Sequence, residues 1–184
     1  VFPSAADVPE NVLCVHVFFG ESPYVDQLMQ AVRLFDHRDN EVAHPFLDLQ
    51  EGLWDSTGTR LTLMLHPGRI KSGMAARLAL GPAVHAGQHC RLQLDLGLLF
   101  GHSHPGKDVQ AFSFRVSAAL DTAVDAAAWR TTHPAVGTLK PLRVTFDRSM
   151  DRLGLEQAFA HRSPDGQRLR FTLCVGNAEK SVLI

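Results

Sequence analysis

Apolar and polar positions alternate with period 2 along most of this chain. Leu61, Leu63 and Leu65 alternate with Thr62 and Met64, and Cys90, Leu92 and Leu94 with Arg91, Gln93 and Asp95. Phe112, Phe114 and Val116 alternate with Ser113 and Arg115; Leu142, Val144 and Phe146 with Arg143 and Thr145; Phe171, Leu173 and Val175 with Thr172 and Cys174. Successive side chains of a strand point to opposite faces, so this spacing predicts antiparallel strands with one buried and one wet side. Turn residues fall between the strands: Asp39-Asn40, Ser56-Thr57-Gly58, His66-Pro67-Gly68, His104-Pro105-Gly106 and Ser163-Pro164-Asp165-Gly166. Short strands with frequent turns predict an all-β chain of the β-sandwich class, mostly antiparallel. Helical spacing is confined to 24–34 and 150–159, and 118–129 is alanine-rich, reading as a helix or an interdomain loop.

One stretch occurs twice. Val15-His16-Val17-Phe18-Phe19-Gly20-Glu21-Ser22-Pro23 returns as Leu142-Arg143-Val144-Thr145-Phe146-Asp147-Arg148-Ser149-Met150, an offset of 127 residues. Each copy is an alternating strand ending in Phe-x-x-Ser-x and leading to a polar turn, Asp39-Asn40 or Asp165-Gly166. So long an offset implies two copies of a domain-sized unit, not a solenoid. The expected modules are 1–97 and 107–184. Only 18 residues follow Gly166, so the second module is shortened at its end. Either residues 107–132 complete its sheet, or an open edge pairs with a second copy of the chain or with a peptide partner.

The first copy carries a resemblance. Phe19-x-x-Ser22-Pro23, then Val32-Arg33-Leu34-Phe35 before a polar turn, resembles the bacterial Ig-like domain of S-layer and other surface proteins. Trp54-Asp55-Ser56-Thr57-Gly58-Thr59-Arg60-Leu61-Thr62 is similar to that family's strand leading to its Leu-Thr step. Pro67-Gly68 followed by Gly87-Gln88-His89-Cys90-Arg91-Leu92-Gln93-Leu94 resembles its closing stretch, with Cys90 where the pattern has an aromatic. The resemblance implies two Ig-like β-sandwich modules and a non-catalytic binding, spacer or scaffold role. It carries no catalytic residues.

Composition narrows this only a little. With 184 residues, 45% hydrophobic and 20% charged, the chain can bury a core and is not generally disordered. A net charge of −1 gives no pull toward nucleic acid or an anionic membrane. No apolar run approaches the ~20 residues of a membrane span. The start Val1-Phe2-Pro3-Ser4-Ala5 has no basic n-region and looks like a processed end. The family implies a secreted, periplasmic or cell-surface location if a signal segment was removed. Three cysteines, Cys14, Cys90 and Cys174, allow at most one disulfide and read as small hydrophobes in strands.

Histidine is the candidate for chemistry. Ten are present, and His85, His89, His102 and His104 lie within 20 residues of one another. His102 and His104 share a face if extended, and His85 can approach His89 across Gly87. Such imidazoles suit zinc or copper, and three with one open position would make a hydrolytic zinc centre. The alternative is that these histidines sit singly on solvated turns. Ser103 lies in Gly101-His102-Ser103-His104-Pro105, which lacks the closing glycine of a nucleophile elbow. Trp54, flanked by Asp48, Glu51 and Asp55, reads as a core or edge tryptophan, or as a sugar-stacking platform. Trp129 reads as an anchor at the domain junction.

Overall fold

The computed structural model describes residues 1–24, 28–47, 53–67, 69–72, 77–101 and 108–184. The chain is β-rich, its strands mostly antiparallel and gathered into several sheets, and it divides into two units. The first comprises Val1 and residues 6–120; the second comprises residues 2–5 and 121–184.

In the first unit, β1 (Asp7–Pro9), β2 (Cys14–Phe18), β3 (Val32–Phe35), β4 (Leu53–Trp54) and β5 (Arg60–Met64) are followed by the hairpin β6 (Arg69–Ser72) and β7 (Arg77–Gly81). Then come β8 (His89–Asp95) and β9 (Val109–Ser117). One sheet has the order β2-β5-β4 and another β1-β9-β8-β3; β1 runs parallel to β9 and the remaining pairs are antiparallel. The alternation explains the core. Val15, Val17, Leu61 and Leu63 from the first sheet and Val32, Leu34, Leu92, Leu94 and Val116 from the second point into one apolar cluster. Their intervening neighbours Thr62, Arg91 and Gln93 are partly exposed. Short helices α1 (Leu28–Ala31) and α2 (Leu96–Leu99) add Leu28, Ala31 and Leu99 to that cluster, and the Asp95 carboxylate accepts the Leu98 N–H at 3.1 Å as an N-cap.

In the second unit, β10 (Arg130–Thr132), β11 (Arg143–Thr145), β14 (Cys174–Val175) and β15 (Ser181–Leu183) form a sheet of order β10-β11-β15-β14. Helix α3 (Arg152–Ala158) is N-capped by Asp151, and the hairpin β12 (His161–Arg162) with β13 (Arg168–Leu169) follows it. Val144, Phe146, Leu155 and Val182 form a smaller core, with Trp129, Met150 and Phe159 against it.

Several positions 127 apart take similar geometry in the two units. Val17 and Val144 are both buried on pairing strands, and Leu28 and Leu155 are both buried on helices. The Asp36 N–H donates to the Asn40 carbonyl at 2.9 Å, and the Ser163 N–H to that of Gln167 at 2.9 Å. Within the same turns, Asp36 Oδ1 accepts the Asn40 N–H at 2.9 Å and Ser163 Oγ accepts that of Gln167 at 3.1 Å. After a gap the correspondence resumes. Phe19 and Phe146 donate their N–H groups at 2.8 Å to the carbonyls of Thr59 and Lys180, the residues just before the partner strands β5 and β15, and Leu61 and Val182 are both wholly buried opposite Val17 and Val144.

Several expectations shift. Of the helix expected over 24–34, Leu28–Ala31 is helical as α1 while Val32–Phe35 is strand β3; the alanine-rich 118–129, expected as a helix or a loop, takes the loop form, mostly exposed with a single 3-10 turn at Ala126–Ala128. That segment has no apolar stripe to bury, and propensity alone does not hold a helix. The strand expected over 171–175 is described as Cys174–Val175. The second module was expected to start at residue 107, yet β9 pairs along its length with β8 in the first unit, while β10 joins the second unit's sheet. Residues 2–5, expected in the first module, belong to the second unit. The three cysteines form no disulfide with one another: Cys90 is buried, Cys14 partly buried and Cys174 exposed.

Candidate functional site

Of the four histidines singled out, His102 and His104 lie outside the described residues, as does Ser103. His85 and His89 are both exposed on either side of a turn in which Gly87 takes φ +87°. The His85 N–H donates to Gln88 Oε1 at 2.9 Å, tying the turn to itself. Strand pleating sends His89 outward and Cys90 into the core, so the neighbours serve opposite faces. Burial pushes the Cys90 thiol up to about 11, with the Asp36 carboxylate adding to the shift.

His89 borders two open surface depressions. One, of about 310 Å³, is also lined by Asp36, His37, Asp39 and Arg91. The other, of about 450 Å³, is lined by Asp7, Phe114 and Arg115 beside it. Their charges are largely engaged with one another: Arg91 pairs with Asp39 at 2.7 Å and Arg115 with Asp7. Asp36 is committed to its own turn. The Asn40 side chain, then backbone N–H groups of Asn40 and Arg38, hold its carboxyl below the ordinary carboxylate value.

Trp54 packs by its ring, 5.9 Å from Phe19 at 37°, against the first unit's core, which matches the core or edge reading. Asp48 and Glu51 lie outside the described residues. Asp55 turns its carboxylate onto the Thr59 and Arg60 N–H groups and the Thr57 hydroxyl, which holds its pKa down. Trp129 packs within the second unit's cluster, 5.0 Å from Phe146 and 6.2 Å from Phe159.

Two polar arrangements escaped the sequence. His16 is buried on β2, its Nδ1 3.0 Å from Thr62 Oγ1 across the strand pair. It was hidden because a histidine at an alternating position reads as surface. In the second unit Glu179 is wholly buried, and its carboxylate accepts the Ser4 N–H at 2.9 Å and the Ser4 hydroxyl at 2.6 Å. Ala178 and Glu179 take φ +54° and +52°. Glu179 occupies the place in its turn that Gly58, at φ +69°, occupies in the first unit. Aligning Trp54–Leu61 with Val175–Val182 would have exposed this non-glycine residue at a glycine position.

In the second unit, three side chains at and just before the β12–β13 hairpin are incompletely covered. Phe159 is partly buried, His161 is exposed with its ring 6.4 Å from Phe171, and Leu169 is 39% exposed. Comparison with family models, with curated proteins and with solved structures finds no match for this chain. No helix among the described residues is long and apolar enough to cross a membrane.

Proposed function

We propose that this chain is a non-catalytic binding or scaffold protein built from two Ig-like β-sandwich modules, the second atypical, of the kind found on bacterial surfaces. The observation that carries the reading is the recurrence at 127-residue offset of the same strand, capped turn and buried positions. In the first unit two sheets share one core, which is how a sandwich buries alternating strands. The polar groups at the His89 depressions are largely spent on ion pairs and turn caps, an arrangement that suits a binding surface and a rigid spacer. A protein or peptide partner, or a second copy of the chain, is the expected ligand, and a secreted, periplasmic or cell-surface site is the expected location.

The competing class is a zinc or copper protein using His85, His89, His102 and His104. Elemental analysis of untagged protein separates the two. On the scaffold reading, protein incubated with zinc or copper and then desalted retains well under one equivalent. One bound equivalent that disappears in a His102→Ala/His104→Ala variant overturns it.

A further inference from the structure

The two units differ in what covers the strand that follows the helix. In the first, β3 pairs with β8 in the register Val32↔Leu94, Arg33↔Gln93, Leu34↔Leu92, Phe35↔Arg91. Val32 and Leu34 are then 4% and 1% exposed beside Leu94 and Leu92, which are themselves buried. At the 127-residue offset these positions are Phe159, Ala160, His161 and Arg162. There Phe159 is only partly buried and His161 is exposed. Leu169, which corresponds to the partly buried Val42, is exposed too. Among the described residues β12 pairs with β13 alone. The turn bond from the Ser163 N–H to the Gln167 carbonyl fixes which groups face β13. By the period-2 alternation of an antiparallel ladder, the N–H and C=O groups of Ala160 and Arg162 face the other way, along the unpaired edge.

Resting on the two-module reading above, we infer that the Phe159–Arg162 edge of the second unit is a strand-acceptor site, which takes an extended segment of another polypeptide in the register that β8 adopts on β3. The first unit specifies the ligand. Apolar side chains belong opposite Phe159 and His161, where β8 supplies Leu94 and Leu92. They would cover the side chains left partly open there, Phe159 at the margin of the second unit's core and the exposed His161. Opposite Phe35, β8 supplies Arg91, whose guanidinium sits 5.2 Å from the Phe35 ring centre. In the second unit that position is Arg162, so the preferred residue opposite it is a carboxylate, because unlike charges directly across a strand pair attract and like charges repel. Arg168 on the adjoining strand is also exposed and strengthens the preference. The ligand is thus an alternating apolar strand with an acidic residue at one outward position. This is strand addition at a sheet edge, where main-chain bonds supply affinity and alternate side chains supply selectivity.

The test uses the full chain with Trp54→Phe, leaving Trp129 beside Phe159 as reporter. The probe is a synthetic peptide with the sequence of residues 88–96 carrying Cys90→Val and Arg91→Glu; the same peptide with arginine kept at position 91 is the comparison. The expected result is saturable one-to-one binding, a changed Trp129 emission, and amide shifts confined to 159–162 and their surroundings. The glutamate peptide should bind roughly three-fold or more tighter, the size of a cross-strand charge pair. Ala160→Pro removes the edge donor and should abolish binding. Phe159 already has φ −98° and ψ 135°, compatible with a following proline. If that variant does not fold, Arg162→Glu serves instead, and it should reverse the preference between the peptides. Absence of binding by folded protein, binding indifferent to Ala160→Pro or Arg162→Glu, shifts mapping to another edge, or self-association through this edge that the peptide does not compete with would each overturn the inference. Hydrogen exchange on the same sample keeps the two ideas apart. Slow amides along β2–β5 and β3–β8 uphold the two-module reading even when the peptide fails; their absence sinks that reading first.

Discussion

Gly58 and Glu179 show how one backbone requirement is met by different chemistry. Both close the same turn with a left-handed φ, and each donates its N–H to the residue three places earlier. Glycine takes that conformation without steric cost, whereas a side chain there is strained. At Gly58 an added Cβ would also meet Ser22 Oγ at 2.8 Å. Gly58→Ala should therefore cost about 1–2 kcal/mol, read as a lower urea midpoint with an unchanged slope. Cys90 gives a pH-dependent expectation. Its folded pKa, about 11, lies above the ordinary 9.0, so the fold favours the neutral thiol. Above pH 9 the unfolded chain loses that proton first and then binds fewer protons than the native state, so stability falls as pH rises toward 11. Comparing unfolding midpoints of the parent and Cys90→Ala at pH 7, 9 and 10.5 should show a decline peculiar to the parent. A constant difference would count against the buried-thiol account.

At the scale of the element, the sequence is most legible where a strand separates two environments. The alternations at 61–65, 90–94 and 142–146 each place their apolar members inward, because a pleated strand with one wet face cannot hide the pattern. Leu61 is wholly buried opposite Val17, and Leu61→Ala should cost about 2–5 kcal/mol from lost burial plus the cavity left behind. Thr62→Ala, on the half-wet face but beside His16, tests the buried imidazole separately; it should cost about 1 kcal/mol through the lost hydroxyl contact. The repeated turns at 36–40 and 163–167 were legible as Asp-Asn and Asp-Gly signals. Pairing partners were not: period 2 says that β9 is a strand but not that β8 lies beside it, since register between distant segments leaves no local trace. The candidate site was less legible still. His85 and His89 are exposed as turn and edge residues, while the partly buried Phe159 and the exposed His161 and Leu169 look ordinary until set against their buried or half-buried counterparts in the first unit.

At the scale of the whole molecule, the second unit is discontinuous in sequence, built from residues 2–5 together with 121–184. The N-terminal segment brings chemistry to it. Ser4 supplies its N–H and hydroxyl to the wholly buried Glu179 carboxylate, and its Oγ accepts the Ala178 N–H at 3.1 Å, so one residue steadies two consecutive left-handed positions. Nearby, the Arg152 guanidinium lies 4.2 Å from the centre of the Phe2 ring. A buried carboxylate deprived of its donors pays its desolvation uncompensated, at roughly 1.5–3 kcal/mol per bond to a charged group. Ser4→Ala removes only the hydroxyl and should destabilise the second unit by about that amount. Deleting residues 1–5 removes the hydroxyl, the N–H and the Phe2 ring together and should cost more. Hydrogen exchange resolves where the loss falls. For Ser4→Ala, faster exchange in β11 and β15 with unchanged rates in β5 and β8 is the expected pattern, because the hydroxyl contacts it removes, to Glu179 and Ala178, lie in the second unit. Uniform acceleration along the whole chain would instead mean that the terminal segment supports the first unit as well, and a Ser4→Ala protein as stable as the parent would remove Glu179 from the account of what holds the second unit together.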